Sequence, residues 1–435
     1  MKTIRIGAGA GFAGDRIDPA VDLARDGRLD YLVFECLAER TIALAHLHKR
    51  QGCTLGFDPL LRARLEAVLP LCASRGTRII TNMGAANPEA AAREALAIAR
   101  SLDLTGLRVA WVSGDDVLAL LADYVVSDLR EHLVSANAYL GIEPILDCLR
   151  RGADVVITGR VADPSLFLAP MVHEFGWALD DWEHLGQGTA IGHLLECAGQ
   201  LTGGYFADPG YKEVPGLDRL GFPLAEIDET GRACLMKLAG SGGVLNIRTC
   251  KEQILYEVQD PSGYLTPDVT ADFTGIRFDE IAPDKVCVSG AGGRERPSQL
   301  KASLGLYGGF IAEGQISYAG PGALSRARLA RQILENRLHW IALGDLRIDF
   351  VGIDSMHGAA LSHAAVDPWE VRLRAAGRFF DETAARRLMG EVESLYVNGP
   401  AGGGGGVTSL RENIAMDAAF LPREAVMPQI TLEVA

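Results

Sequence analysis

Short apolar runs alternate with amphipathic stretches through the first 180 or so residues, and this rhythm restricts the folds open to the chain. "TIRIGAG" (3–9) has the pattern of a strand. "DPAVDLARDG" (18–27) follows as a helix, with Asp18 able to cap and Pro19 at the first helical position. "DYLVFEC" (30–36) is apolar enough for a strand buried on both faces. "FDPLLRARLEAVLPLCASRG" (57–76) reads as a helix ending at Gly76, and "TRIITNMG" (77–84) as a third strand. The next helix, "NPEAAAREALAIARSL" (87–102), has Asn87 as its cap and Pro88 at its start. "LRVAWVSGDD" (107–116) and "ADVVITGR" (153–160) add two strands, with a helix near "EPILDCLRRG" (143–152) between them. Such alternation predicts a mainly parallel sheet covered by helices.

After residue 200 the pattern changes. "ACLMKL", "QILYEV", "VTADFTGIRFDEI", "KVCVSGA", "LKASLGLYGGFIAEGQISYAG", "RIDFVGI", "EVRLRAAGRF" and "QITLEVA" are strand-like, while "SRARLARQILENRL" and "ETAARRLMGEVESLY" are helical. The expected fold class is therefore α/β: an N-terminal, mostly parallel sheet flanked by helices (1–215), then a C-terminal α+β domain (216–435), with the crossover inside 201–230. A chain of 435 residues has room for two cores, since one core rarely grows past about 250–300 residues.

Charge narrows the partners. With 56 acidic against 42 basic residues the formal net charge is −14, which argues against nucleic acid or an anionic membrane surface. No apolar stretch reaches the roughly 18 residues of a membrane span. The start of the chain enters a strand at once, so a cytoplasmic protein is expected. The eight cysteines (36, 53, 72, 148, 197, 234, 250 and 287) never form CxxC, and neither a structural zinc site nor a disulfide framework is expected.

Four glycines (7, 9, 11 and 14) and an Asp15-Arg16 pair follow the first strand. Gly9, Gly11 and Gly14 match G-x-G-x-x-G by spacing, and Glu35 stands near the distance of a ribose contact. Asp15 at the helix entry would repel a pyrophosphate, however, and no Gly-Lys-Ser/Thr follows. The loop is open to three readings: a nucleotide cradle, the lining of another kind of active site, or turn chemistry. Other strand ends also carry polar groups: Glu35, Asn82, Gly114-Asp115, and Thr158 with Arg160 and Asp163. In an open parallel sheet these ends line the ligand crevice. Arg160 is the candidate anion clamp, and a second glycine-rich turn offers Lys237, Ser241 and Gly242. His193, Glu196, Cys197 and Gln200 share one helical face, either as a metal- or substrate-orienting stripe or as a satisfied buried pair.

"AGFAGDR", "NAYLG", "VVITGRVADPS", "HLLECAGQLTGGYF", "SGGVLN", "YLTPDV", "DPWEVRLRAAGR" and "NGPAGGGGG", in that order, resemble the acyclic terpene utilisation (AtuA-like) family over nearly the whole chain. The resemblance implies a cytoplasmic catabolic enzyme with a carboxylic acid or CoA thioester as substrate, and supplies no catalytic residues. Sequence and resemblance together predict hydratase- or isomerase-type acid–base chemistry without a bound cofactor or metal. Glu35 and Asp163 would move protons. Gly11, Asp15, Arg16, Asn82, Gly114, Asp115, Thr158, Arg160, Lys237, Ser241 and Gly242 would hold a small anionic substrate in a homo-oligomer. The alternatives are a non-catalytic metabolite-binding subunit and a nucleotide-dependent oxidoreductase.

Overall fold

A computed structural model describes residues 2–123, 132–341, 345–358, 360–362 and 368–435. It is a mixed α/β protein whose contacts divide it into two compact units, Met1–Gly305 with Met416–Ala435, and Leu306–Ala415.

The first eight strands of the first unit are, in chain order, β1 (Thr3–Ala10), β2 (Tyr31–Phe34), β3 (Arg78–Thr81), β4 (Arg108–Ser113), β5 (Leu133–Ala138), β6 (Val155–Ile157), β7 (Pro223–Asp228) and β8 (Ala233–Lys237). Five of them lie side by side in the order β1-β2-β3-β6-β4, all parallel. Their side chains are buried on both faces (Leu32, Val33, Ile79, Ile80, Val155 and Val156 among them), because helices cover both sides of such a sheet. The helices Asp18–Asp26, Leu61–Arg75 and Pro88–Ser101 stand where the apolar periodicity places them, and Asn87 caps the last by accepting from Ala90 N at 3.3 Å.

The same sheet continues antiparallel on both flanks. Beyond β1 come β7, β8, Lys285–Ser289 and Arg277–Ala282; beyond β4 comes Gln429–Val434. β5 leaves this sheet and pairs with the long strand Gln299–Ala319. Residues 216–305 therefore pack with the parallel core, so the boundary expected at 215/216 falls inside the first unit. The second unit holds its own sheet and core, in which Ile316, Tyr318, Leu373 and Phe350 meet Leu334 of helix Ala323–Arg337 and Leu388 of helix Glu382–Glu393.

Two local expectations are corrected. "QILYEV" is not a strand: Ile247–Leu255 is a helix, started by a capping box in which the Asn246 side chain accepts from Thr249 N and the Thr249 hydroxyl accepts from Asn246 N. Nor are all the cysteines free. Cys234 and Cys287 sit directly opposite one another on adjacent antiparallel strands, with Cα atoms 4.0 Å apart, and form a disulfide. No local spacing announces that pairing; the register creates it.

The glycines of the opening segment serve close packing. A Cβ on Gly11 would lie 2.4 Å from the carbonyl carbon of Cys197, just beyond the helix Trp182–Glu196. The loop after β1 is also held from below by Arg64, a fully buried side chain that donates to the carbonyls of Phe12, Ala13 and Asp15 at 3.3, 2.9 and 3.3 Å and pairs with Asp58 at 3.3 Å. Gly11→Ala is expected to destabilise the protein by about 1–3 kcal/mol, since the obstacle is backbone and cannot rotate away. Gly390→Ala, at an exposed helical glycine with nothing near its missing Cβ, is expected to stabilise by about 0.5–1 kcal/mol. Thermal midpoints moving in opposite directions check both.

Candidate active site

The polar groups at the carboxyl ends of the parallel strands form one connected network. Glu35, after β2, accepts from Leu37 N and from Asn82 Nδ2, each at 2.8 Å. Asn82, after β3, accepts from Cys36 N at 2.7 Å. Asp115, after β4, accepts from Arg160 N at 2.9 Å and from Asn137 Nδ2 at 3.0 Å. The Arg160 guanidinium, after β6, is fully buried and donates to Leu37 O, Val161 O (2.9 Å) and the Asp163 carboxylate. Its free face lies 4.5 Å from the centre of the Tyr139 ring.

A cavity of about 770 Å³ opens at this edge. Arg160, Asp163, Tyr139, Glu39 and Lys301 form one part of its lining. Glu39 accepts from Tyr139 OH at 2.6 Å and pairs with Lys301 at 2.7 Å. The segment Tyr264–Pro267 forms another part. Asp268 pins that segment by accepting from Ile142 N at 2.8 Å and from the Ser165 hydroxyl at 2.5 Å. Leu265 and Phe420, 65% and 58% exposed, give the lining an apolar lip.

His193 and Glu196 complete it. They stand at the end of helix Trp182–Glu196, every residue of which is buried from Leu185 onward. Gly192 sets their depth: a Cβ there would meet Pro164 O at 2.7 Å. His193 Nδ1 and Glu196 Oε1 are 2.6 Å apart, while His193 Nε2 and Glu196 Oε2 meet no protein partner. The imidazole packs against Tyr264 and Phe273, ring centres 5.2 and 5.8 Å away.

Burial dominates the electrostatics. It raises the carboxyl groups of Glu35 and Glu196 against the pull of Arg160, and lowers His193 to about 4. Asp115 is raised to about 6, burial outweighing its hydrogen bonds from Arg160 N and Asn137. Glu39 goes the other way: burial raises it, but the bonds from Lys301 and Tyr139 prevail and hold it low. Burial also pushes the Cys197 thiol up, away from the thiolate form of a nucleophile.

Of the residues predicted from sequence, Arg160 and Asp163 line the cavity. Glu35, Asn82, Asp115 and Thr158 stand directly behind them, buried, with the Thr158 hydroxyl spent on Gly159 O at 3.1 Å. Gly114, at φ +95°, makes the turn that delivers Asp115. Gly11 and Asp15 form the opening loop, where the Asp15 carboxylate accepts from Gly11 N and Arg16 N at 2.9 Å each; Arg16 turns outward to Asp18. Lys237 donates to Ser241 O at 2.9 Å and pairs with Asp284 at 3.1 Å, and Gly242 packs on the backbone of Gly216, so that turn satisfies itself away from the cavity lining. Sequence reasoning left Tyr139, Glu39, Lys301, Tyr264 and the His193–Glu196 pair out of the predicted site. For the pair and Tyr264 the signal was present, as a polar stripe in an apolar helix and the "YLTPDV" segment. Among the described residues no cluster of three or more His, Cys, Asp or Glu is arranged to hold a metal ion. Among the same residues no helix is long and apolar enough to cross a membrane.

A family model described as "Acyclic terpene utilisation family protein AtuA" matches residues 4–432. No curated protein and no solved structure matches the chain.

The raised carboxyl of Asp115 has a consequence for stability. Its folded value of about 6 lies above the unfolded 3.8, so the folded state holds this proton more tightly. The stability it contributes is present below pH 3.8, is lost as pH rises toward 6, and stays lost above. Asp115→Asn keeps the acceptor for Arg160 N without the charge. Relative to wild type, the variant is expected to gain about 1–3 kcal/mol between acid and neutral pH, read as diverging denaturation midpoints across that window.

Proposed function

The chain belongs to the acyclic terpene utilisation family, and on that premise we propose a catabolic enzyme that moves protons on a small branched carboxylic acid or its CoA thioester, by hydration–dehydration or isomerisation. The observation that carries this reading is the composition of one cavity. A buried cation, Arg160, and a carboxylate, Asp163, share its lining with a buried imidazole–carboxyl pair and an apolar lip. A volume of about 770 Å³ lies within the range of small-molecule sites, roughly 300–1,000 Å³. Leu265, Phe420 and Pro267 suit a branched hydrocarbon chain, and Arg160, with three of its five N–H groups used internally, suits the charge of a carboxylate or enolate. Asp163 is the general base in this reading. It is partly open to water, with a side chain 36% exposed, and can exchange its proton between turnovers, whereas Glu35 lies behind the lining.

The opening loop gives a nucleotide little to bind. Gly11 N–H is already donated to Asp15, and the Cys197 backbone closes the space beside it. The oxidoreductase alternative therefore has no support from this segment.

Thermal stabilisation by a panel of short branched carboxylic acids, their CoA thioesters and NAD(P) tests the reading. An acid or thioester at a hundredfold excess over its dissociation constant is expected to add about 2.7 kcal/mol. Asp163→Asn is expected to keep that stabilisation and lose turnover by on the order of 100-fold or more. Stabilisation by NAD(P) alone, or an Asp163→Asn variant as active as wild type, overturns it. Stabilisation without turnover by any member of the panel points instead to a metabolite-binding subunit.

A further inference from the structure

We propose that Tyr264 is a catalytic residue of this cavity: its hydroxyl donates a hydrogen bond to the substrate's carbonyl oxygen and holds the negative charge that gathers there when Asp163 takes a proton from the adjacent carbon. The assignment deepens the acid–base reading above and rests on it. It also narrows the substrate to the thioester. An ionised acid would have to place a second negative charge on the same two oxygens.

The phenol ring is fixed in place. The strand Tyr264–Leu265 pairs antiparallel with Thr270–Asp272, Ala271 standing opposite Tyr264. The Thr266 hydroxyl closes the turn between them by donating to Val269 O at 2.8 Å. His193 and Phe273 pack against the phenol, each with its ring centre 5.2 Å away.

The hydroxyl, by contrast, is unengaged. Among the described residues no group bonds it, and yet it is not sealed in as His193 Nε2 is. The ionisable groups that act on it most strongly are Glu196, Cys197, Glu257 and Tyr139, and all but Cys197 line the cavity together with Tyr264. The oxygen therefore opens on the ligand space. The second phenol of the lining is spent, since Tyr139 OH donates to Glu39. A phenylalanine at 264 would make the same ring contacts, so a phenol whose oxygen serves no part of the protein is explained by what enters the cavity. Burial, reinforced by Glu196 and Cys197, raises it well above its ordinary value. It keeps its proton and acts as a donor, not a base.

The step balances within the site. The C–H bond beside the carbonyl breaks as an O–H bond forms on Asp163, and the electron pair moves through the new C=C bond onto the carbonyl oxygen. The Tyr264 O–H bond stays intact, and its hydrogen bond strengthens as that oxygen gains charge. Asp163 then returns the proton to another carbon in an isomerisation, or to a departing hydroxide, released as water, in a dehydration.

The test uses the full chain with tyrosines ¹³C-labelled at Cζ, in an equal mixture of H₂O and D₂O, Tyr264→Phe identifying the resonance. A hydroxyl open to the cavity exchanges quickly and gives one averaged line, whereas one bonded within the protein exchanges slowly and gives two. One line is expected for Tyr264, and two overturn the assignment. The thermal midpoint of Tyr264→Phe without ligand is expected within about 2 °C of wild type, and a larger fall shows that the hydroxyl serves the fold instead. For a thioester that the panel above shows to be turned over, Tyr264→Phe is expected to lose on the order of 100-fold or more in kcat, with KM changed by less than about threefold. Unchanged kcat, or turnover of a free acid while its thioester is inert, overturns the inference and leaves the acid–base reading standing. Absence of turnover across the panel counts against that reading, and the Cζ spectrum then decides Tyr264 alone.

Discussion

A guanidinium shut away from water must find its acceptors within the fold, and much of the candidate site follows from how Arg160 does so. Its donors reach Leu37 O beyond β2, Val161 O beyond β6 and the carboxylate of Asp163, while its own backbone N–H holds Asp115 beyond β4. Three strand ends are thereby tied to one residue, and Asp163 is left at the cavity lining. Arg64 plays the corresponding part under the first loop, collecting three carbonyls and Asp58. Removing either cation would strand acceptors from several segments at once, which is why such residues behave as keystones and not as ordinary surface charges.

The acids around Arg160 outnumber it. Glu35, Asp115, Asp163 and Glu196 crowd one positive charge in a dry place, and burial shifts Glu35, Asp115 and Glu196 toward the protonated form. Carboxyl groups shifted in that direction hold their protons to higher pH than free ones, which suits proton transfer.

The parallel half of the sheet was legible in the sequence because its signals are local: apolar runs of strand length, Asn87 at a cap, Gly76 at a helix end. The convergence of Glu35, Asn82, Asp115 and Arg160 was legible too, since parallel strands place all their carboxyl ends on one edge. What escaped were facts of long range. The antiparallel continuation through β7, β8 and Lys285–Ser289 depends on pairing that no short window contains, and the Cys234–Cys287 bond depends on that register. Arg64 resembles any charged residue on an amphipathic helix until its 0% exposure is known. Gly11 imitates a phosphate loop, yet the atom that demands a glycine belongs to Cys197, in a distant part of the chain.

The pairing of Gln429–Val434 with β4 bears on how the chain acquires its structure during synthesis. β4 is translated early and carries Val109, Ala110 and Val112, all wholly buried in the finished sheet. Until the ribosome reaches the last strand of the sheet, that side of β4 is an uncovered apolar edge, the kind of template on which nascent chains associate wrongly. Completion of this edge thus waits for a segment far along the chain, and until that segment is made the edge stays open to wrong pairing.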